Sequence, residues 1–308
     1  MNNSIRKFCN NLLKEISKSK NILIASHVDP DIDALSSEIA LFYILKKKFK
    51  NKNFFLFNPD KIKEFLEINP DFKLIKNKLP AVKIDILIAV DTSDIERLNI
   101  NNLLKIQNPK LFVLDHHTYV GKWNGNIYID KNAESVAEIL YDLVENLNIK
   151  FDDRIKKNIL LGILGDSGFL RFAKNKKVLE ILPKLYTPKI SLRKMYKNLF
   201  GFNISDFKIL NKLLLKGELR NNILWCYFNN KNNKSLRKII YFLTMLKEAH
   251  TFILIEKIKN QFYVHLRSDK INVGRIAKRF NGGGHKFSAG FKTNIPISKL
   301  KKKILKLI

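Results

Sequence analysis

The sequence has little cysteine and no long apolar run, and each absence excludes a class of protein. Its two cysteines, Cys9 and Cys226, lie far apart and outside any Cys-x-x-Cys pattern, which argues against a disulfide framework and a zinc site. No apolar segment approaches the roughly 20 residues that span a bilayer. Residues 1–8 lack the apolar core of a secretory signal. We therefore expect a reduced, cytoplasmic setting and no membrane partner.

Negative charge is also scarce, since the 308 residues include 57 Lys and Arg against 28 Asp and Glu, a formal net charge of +29. A basic surface is typical of proteins that bind nucleic acid. Only 10 of the 57 are arginine, the residue that binds phosphate in a bidentate manner. The abundance of Lys, Asn and Ile is also what A/T-rich codons produce. The charge therefore fits a phosphate-containing substrate but does not identify one.

The first half of the chain alternates between strand and helix patterns. Apolar strands are predicted at 21–26, 52–57, 84–90 and 111–114. Helices are predicted from Asp33 or Ser36 to Leu45, at 135–146 and at 153–164. This alternation predicts an α/β fold with a mostly parallel sheet. The length of the chain allows two domains, each with its own core.

The pattern changes after a basic, proline-containing segment at 183–201, which we interpret as a connecting helix or linker. A basic amphipathic helix is predicted at 299–308. We therefore predict a first domain at 1–182 and a smaller α+β domain at 202–308 that closes over the active-site cleft of the first. Strands of the second domain are predicted at 222–228, 251–257, 261–267 and 287–291.

Asp115-His116-His117 follows the apolar segment at 110–114 and is the most informative motif of the chain. In an open α/β sheet, ligands bind outside the carboxyl ends of the strands. We therefore expect this motif to converge with three other acidic clusters that follow apolar segments. These are Ser-His-Val-Asp-Pro-Asp-Ile-Asp from Ser26, Val-Asp-Thr-Ser-Asp from Val90, and Gly-Asp-Ser-Gly from Gly165 at the end of a predicted helix.

Imidazoles together with several carboxylates are typical ligands of divalent metal ions. Asp31 and Asp33 lie in one loop stiffened by Pro30 and can reach two different ions. Asp91 then suits the bridging position between them. Such an oxygen-rich set favours Mn²⁺, and two ions about 3.5–4 Å apart are typical of phosphoester hydrolysis. The predicted metal ligands are His27, Asp31, Asp33, Asp91, His116 and Asp166.

Taken singly, each of these residues has a structural interpretation. Asp91 and Asp166 are residue types common at helix N-caps and turns, and His27 could be a core histidine. Only the conjunction of all six at strand or helix ends predicts a metallohydrolase.

The four motifs, in this order, resemble those of the DHH phosphoesterase superfamily. The region from Leu266 to Gly290, which contains Gly-Gly-Gly-His, resembles the DHH-associated domain of the same enzymes. The resemblance covers about residues 22–291. Ile32, Ser36 and Asn281 stand where the family often has glycine, so the loop at Ile32 must use an ordinary backbone conformation. Asn281, by contrast, tolerates the left-handed region.

The resemblance implies a role for each motif. His27, Asp31 and Asp91 would hold one Mn²⁺. The other would be held by Asp33, Asp91, His116 and Asp166. His117 would face the substrate phosphate as a catalytic group, and Asp115 would orient the histidines. The second domain would bind the nucleotide and its terminal phosphate, with glycines that let backbone N–H groups approach the phosphate. These residues are Arg267, Ser268, Gly283, Gly284 and His285.

The length and domain order match stand-alone members of the superfamily, which degrade oligoribonucleotides of a few residues and dephosphorylate 3′-phosphoadenosine 5′-phosphate. The resemblance thus implies a Mn²⁺-dependent phosphoesterase with short RNA and phosphorylated nucleotides as partners. Two alternatives stay open. One is a phosphodiesterase for cyclic di-AMP or its linear product. The other is a non-catalytic nucleotide or RNA binder, which only the basic charge supports. The oligomeric state is also open, a homodimer being one option.

Overall fold

The computed structural model describes residues 3–117, 121, 123–173, 175–230, 236–284 and 286–308. The chain divides into two compact units after Leu199. This boundary falls inside the segment 183–201 that the sequence indicates as a connection. His285 lies outside the described residues, so the role predicted for it stays a prediction.

The first unit contains a five-stranded sheet whose strands pair in parallel, in the order β2-β1-β3-β4-β5. The predicted α/β fold with a parallel sheet is confirmed. The strands are β1 (Asn21–Ala25), β2 (Asn53–Phe57), β3 (Ile86–Val90), β4 (Lys110–Asp115) and β5 (Asn126–Ile129). The helices are α1 (Asn3–Lys18), α2 (Ile32–Lys48), α3 (Asn101–Gln107), α4 (Val136–Asn146), α5 (Asp153–Asp166), α6 (Lys176–Leu185) and α7 (Leu192–Phe200).

The central strands are continuous apolar segments, as expected for a parallel sheet. All five side chains of β3 are buried, and five of the six in β4. Because these strands run in the same direction, the residues that follow β1, β3 and β4 emerge at one edge of the sheet. The segments that carry His27, Asp91 and His116 therefore meet there.

The turn between β1 and α2 leads into Ile32, which stands where the family often has glycine. Ile32 is the first residue of α2, and the left-handed conformation falls on Asp29 instead, at φ 55°. The expectation of an ordinary conformation at Ile32 is confirmed. The prediction that the helix begins at Asp33 or Ser36 is wrong, because Asp31 caps its N-terminus by accepting the N–H of Ala34.

The second unit contains a six-stranded mixed sheet in the order β10-β11-β9-β8-β7-β6, in which only β7 and β8 pair in parallel among the described strands. The predicted α+β character is confirmed. The strands are β6 (Glu218–Arg220), β7 (Ile223–Asn229), β8 (Thr251–Ile258), β9 (Gln261–Ser268), β10 (Gly283–Gly284) and β11 (Ser288–Thr293). The helices are α8 (Ile204–Leu215), α9 (Arg237–Leu243), α10 (Val273–Lys278) and α11 (Ile297–Leu305).

Strands β9 and β11 separate an apolar face from a polar one. Val264 and Phe291 are paired across the strands and are buried in the core with residues of α10 and α11. On the opposite face, Arg267 pairs with Ser288, and both are partly exposed. Asn281 adopts φ 56°, as its tolerance of the left-handed region allows. The second unit therefore presents Arg267 on a polar sheet face.

Gly162 in α5 permits the close packing that brings α5 against α2 and α4. A Cβ at this position would lie 2.5 Å from Cβ of Ala137 and 2.6 Å from Oδ1 of Asp33. We expect Gly162→Ala to lower the free energy of unfolding by about 1–3 kcal/mol through overpacking. Urea denaturation measures the change. Gly283→Ala is the matched control, because a Cβ there meets no atom within 4 Å. Equal stability of the two variants would contradict the packing argument.

Candidate metal centre

The loops after β1, β3 and β4 form two overlapping clusters of ligand-type side chains. One contains His27, Asp31 and Asp91, and the other contains Asp91, His116 and His117. Within each cluster, the candidate ligand atoms lie within 4.8 Å of one another. Asp91 belongs to both clusters, which is the arrangement that a ligand shared by two ions requires.

Asp91 lies at the centre of the site. Its side chain is only 2% accessible, and its Oδ1 has no hydrogen-bond partner among the described residues. Nε2 of His27 lies 3.7 Å from Oδ2, and Nε2 of His116 lies 3.5 Å from Oδ1. Burial opposes ionisation, but the nearby His116 and His27 rings outweigh it and hold the pKa of Asp91 well below its usual range. A buried, ionised oxygen without a donor, surrounded by imidazole nitrogens, fits a divalent cation.

The backbone of Asp91 is also unusual, because its φ of 53° lies in the left-handed region. A residue with a Cβ is disfavoured there, and such conformations cluster at functional sites. The N–H of Asp91 donates to the carbonyl oxygen of Leu114 over 3.0 Å, which ties the turn to the end of β4. The left-handed conformation of Asp91 therefore lies at the hydrogen bond that joins the motif after β3 to the motif after β4.

Asp31 combines a structural contact with a position in the site. Its Oδ1 accepts the N–H of Ala34 over 3.1 Å, while its Oδ2 lies 4.0 Å from Nε2 of His27. The two oxygens thus serve different purposes, and the N-cap interpretation does not compete with the metal interpretation. The side chain is 47% accessible, so this side of the site is open to solvent.

The side chain of Asp33 accepts two backbone hydrogen bonds that the sequence did not predict. Its Oδ2 accepts the N–H of Val136 over 2.6 Å, and its Oδ1 accepts the N–H of Ala137 over 3.0 Å. These contacts place the carboxylate at the positive end of α4. Burial raises the pKa of Asp33 well above its usual value, and the charges on Asp91 and Asp166 add to the effect. The clusters found among the described residues do not include Asp33, so its role as a ligand stays a prediction.

His116 connects Asp91 with Asp166, the last residue of α5. Nε2 of His116 lies 3.5 Å from Oδ2 of Asp166, while its Nδ1 lies 3.3 Å from the carbonyl oxygen of Ala133. The side chain of Asp166 is 30% accessible, yet its recessed position raises the pKa of the carboxyl to about 7, against the opposing effect of His116. Burial would lower the pKa of His116, but Asp91 and Asp166 outweigh burial and raise it well above its usual value.

Asp115, which is buried, and His117, which is partly exposed, form a pair next to Asp91. Oδ1 of Asp115 accepts the backbone N–H groups of His116 and His117 over 2.8 and 3.3 Å, and it lies 2.7 Å from Nδ1 of His117. Burial would lower the pKa of His117, but the hydrogen bond to Asp115 and the charge on Asp91 raise it. Asp115 thus contacts the ring of His117 and the backbone of His116, and its role in orienting both histidines stays a prediction.

Three polar side chains behind His27 were not identified from the sequence. Nδ2 of Asn58 donates to Oγ of Ser26 and to the carbonyl oxygen of His27, both over 2.9 Å. Ser26 Oγ in turn donates to Glu38, whose pKa burial raises well above its usual value. The position of Ser26 and Asn58 directly after β1 and β2 is the signal that could have found them, because both lie at the same sheet edge as the ligands.

The predicted substrate residues of the second unit differ in their contacts. Nη1 of Arg267 donates to the carbonyl oxygens of Leu266 and Ala289 over 2.9 and 3.4 Å. Oγ of Ser268 accepts the N–H groups of residues 270 and 271 and donates to the carbonyl oxygen of residue 250. A hydroxyl accepts two hydrogen bonds and donates one, so Ser268 has no capacity left for a ligand in this arrangement. A Cβ at Gly284 would lie 2.5 Å from backbone atoms, and its φ is 127°, so this position requires glycine.

Two family models match the chain. The model for the DHH family, N-terminal domain, matches residues 21–164, and the model for the DHHA1 domain matches residues 220–308. The chain is a two-domain member of the DHH family. Enzymes of this family depend on metal ions, and the clusters around Asp91 could hold them.

Relatives and solved structures agree with this assignment. The chain is 24% identical, over 91% of both proteins, to the bifunctional oligoribonuclease and PAP phosphatase NrnA of Bacillus subtilis. An exopolyphosphatase-related protein from Bacteroides fragilis superposes with a TM-score of 0.84 at 18% identity, covering 98% of this chain and 96% of that one. RecJ of Thermus thermophilus, solved with Mn²⁺, superposes with a TM-score of 0.61 at 15% identity, covering 99% of this chain and 54% of that one. The relative of similar length is a hydrolase by its name, and the two solved structures share the fold of this chain.

Across the described part of the chain, no helix is both long enough and apolar enough to cross a bilayer.

The raised pKa values predict how stability depends on pH without metal. The native state retains protons on Asp166, whose pKa is about 7, and on His116, which the unfolded chain releases. The free energy of unfolding therefore falls as pH rises from about 6 to about 8. We expect the metal-free protein to melt at a lower temperature at the higher pH. Saturating Mn²⁺ should remove most of the difference, because the cations then neutralise the carboxylates.

Asp166→Asn should flatten this pH dependence in the metal-free protein. Asp153→Asn, which changes an exposed carboxylate paired with Lys189, is the matched control and should leave the dependence unchanged. Thermal melts in a chelator at both pH values measure the effect. Greater stability of the metal-free protein at the higher pH would contradict the pKa assignments.

Proposed function

We propose that this protein is a metal-dependent phosphoesterase that hydrolyses short oligoribonucleotides and 3′-phosphoadenosine 5′-phosphate. The observation that carries the proposal is the shared position of Asp91 in two clusters of ligand atoms, with a buried oxygen that lacks a hydrogen-bond donor among the described residues. A relative with both activities in its name is aligned over 91% of this chain and 91% of its own length, which supports the proposal.

The proposed cofactor is a pair of Mn²⁺ ions. Imidazoles mixed with several carboxylates support Mn²⁺ over Mg²⁺, which prefers oxygen ligands alone. When bound, the two ions would activate a water molecule and neutralise charge that develops on the phosphoryl group. One ion would be held by His27, Asp31 and Asp91. The other would be held by Asp33, Asp91, His116 and Asp166.

His117 is proposed to contact the phosphate that is hydrolysed. Asp115 binds its Nδ1 over 2.7 Å, which fixes the ring and leaves Nε2 as the nitrogen directed away from the carboxylate. The raised pKa of His117 keeps the ring protonated to higher pH. A protonated Nε2 would donate a hydrogen bond to a phosphate oxygen and stabilise its negative charge.

The second unit is proposed to bind the terminal nucleotide of the same substrate. Arg267 lies on the polar face of β9, where Nη1 of its guanidinium donates to two backbone carbonyl oxygens, and a planar guanidinium matches the geometry of a phosphate group. Gly283 is exposed, and a Cβ there would meet no atom within 4 Å, so a phosphate can approach its backbone closely. We assign Ser268 the role of fixing the turn beside Arg267, since its hydroxyl is fully engaged there.

Arg267→Ala should weaken substrate binding more than it slows the chemical step. The guanidinium contact to the nucleotide is made before the transition state, so KM should rise more than kcat falls. A charge-assisted hydrogen bond contributes about 1.5–3 kcal/mol, which corresponds to roughly 10- to 150-fold in affinity. Steady-state kinetics on a dinucleotide measure both constants. Arg220→Ala, at an exposed position of β6, is the control for lost charge. A lower kcat at unchanged KM would contradict the binding role.

The proposed function predicts a preference for short RNA. If the second unit binds one terminal nucleotide, RNA of two to about five residues should be hydrolysed much faster than RNA of about 24 residues. Attraction to the general basic charge predicts the opposite order, because longer strands release more counterions on binding. Initial rates with Mn²⁺ at low and moderate salt distinguish recognition of one nucleotide from attraction to the general charge. Recognition of one nucleotide gives the weaker dependence of the rate on salt.

The same assay should include 3′-phosphoadenosine 5′-phosphate, cyclic di-AMP and pyrophosphate. We expect the dinucleotide and 3′-phosphoadenosine 5′-phosphate to be the substrates with the highest kcat/KM. Preference for the long strand, with rates that collapse as salt rises, would contradict the proposed function and indicate an exonuclease that follows the strand. Turnover of cyclic di-AMP far above the others would indicate a cyclic dinucleotide phosphodiesterase.

A further inference from the structure

Nδ1 of His27 lies close to two groups with opposite requirements. The carbonyl oxygen of Val28, at 2.7 Å, can only accept a hydrogen bond, whereas Nη2 of Arg97, at 3.0 Å, can only donate one. An imidazole nitrogen carries either a proton or a lone pair in the plane of the ring. Nδ1 of His27 can therefore satisfy only one of these two partners at a time.

The choice between the partners fixes the state of Nε2, the nitrogen that faces Asp91 at 3.7 Å and Asp31 at 4.0 Å. When Nδ1 of the neutral ring donates to Val28, Nε2 directs a lone pair at the site and can bind a cation. When Nδ1 accepts from Arg97, the ring proton is on Nε2 and faces the carboxylates. The second arrangement cannot bind a cation through Nε2.

The backbone of Arg97 is anchored at His27 independently of its side chain. The residue lies in a 3₁₀ segment, Ile95–Leu98, whose N-cap Asp94 accepts the N–H of residue 96. The carbonyl oxygen of Arg97 accepts the N–H of Val28 over 2.7 Å. A change of the Arg97 side chain therefore leaves this link between the loops intact, so the effect of the guanidinium can be measured by itself.

We propose that Arg97 competes with the metal for His27. In the metal-free protein the guanidinium donates to Nδ1, so the ring proton of His27 is on Nε2 and faces Asp91. Metal binding at Nε2 releases the guanidinium from Nδ1. The inference rests on the proposed function only in taking His27 as a metal ligand. Its physical basis is that the guanidinium on Nδ1 keeps the ring proton on Nε2, where the N–H faces Asp91 and Asp31 in place of a cation.

Mn²⁺ affinity of the metal-free protein, measured by calorimetry without substrate, tests the competition. Arg97→Met removes the charge and the donors but keeps a side chain that fills similar space, and it should bind Mn²⁺ at least about 10-fold more tightly. This factor corresponds to the loss of one charge-assisted hydrogen bond. Arg97→Lys should have an affinity between those of Arg97→Met and the wild type. Arg193→Met, an exposed residue of α7, should bind as the wild type does. Weaker binding in Arg97→Met, restored in Arg97→Lys, would overturn the proposal.

The arrangement of His27 can be observed directly by histidine-selective ¹⁵N NMR of the metal-free protein at alkaline pH. Nδ1 should be unprotonated in the wild type and protonated in Arg97→Met, and His27→Gln identifies the signal by its loss. A protonated Nδ1 in both proteins would overturn the competition. Failure of the wild type to bind Mn²⁺ would overturn the metal centre and this inference with it. Failure of RNA hydrolysis alone would remove the proposed substrate and leave the competition standing.

Discussion

The buried negative charge of Asp91 is the constraint on which the rest of the site depends. A carboxylate that is 2% accessible, at a left-handed backbone position, requires nearby positive charge to remain ionised. His27 and His116 approach its two oxygens from opposite motifs, and Oδ1 still lacks a hydrogen-bond donor among the described residues. A cation would complete this arrangement, and the proposed pair of ions would support the proposed phosphoester hydrolysis.

The fold provides this arrangement through the direction of its strands and through one tight helix contact. Parallel strands β1, β3 and β4 end at the same edge, so three motifs far apart in sequence become neighbours. The fourth motif arrives at the end of a helix, and Gly162 and Gly165 let that helix approach the start of α2. Asp33 is fixed in this contact by two N–H groups of α4, so the packing of three helices and the position of a predicted ligand depend on each other.

The sequence was sufficient to predict the parallel sheet and the residue types of the site, because apolar segments followed by Asp and His are a local pattern. It could not predict contacts between side chains from different segments. Three contacts are examples: the two N–H groups of α4 that bind Asp33, the turn that uses the hydroxyl of Ser268, and the contact of Arg97 with His27. Each depends on where these groups lie in three dimensions. The N-cap role of Asp31 was not predicted, and only the geometry shows that its two oxygens serve two purposes.

The number of Mn²⁺ ions bound per chain tests the central role of Asp91 most directly. Metal-free protein would be titrated with Mn²⁺, with free ion followed by electron paramagnetic resonance and folding checked by circular dichroism. The shared position of Asp91 predicts two tightly bound ions in the wild type, one in Asp166→Ala and none in a folded Asp91→Ala. Two ions still bound tightly by Asp91→Ala would contradict the account.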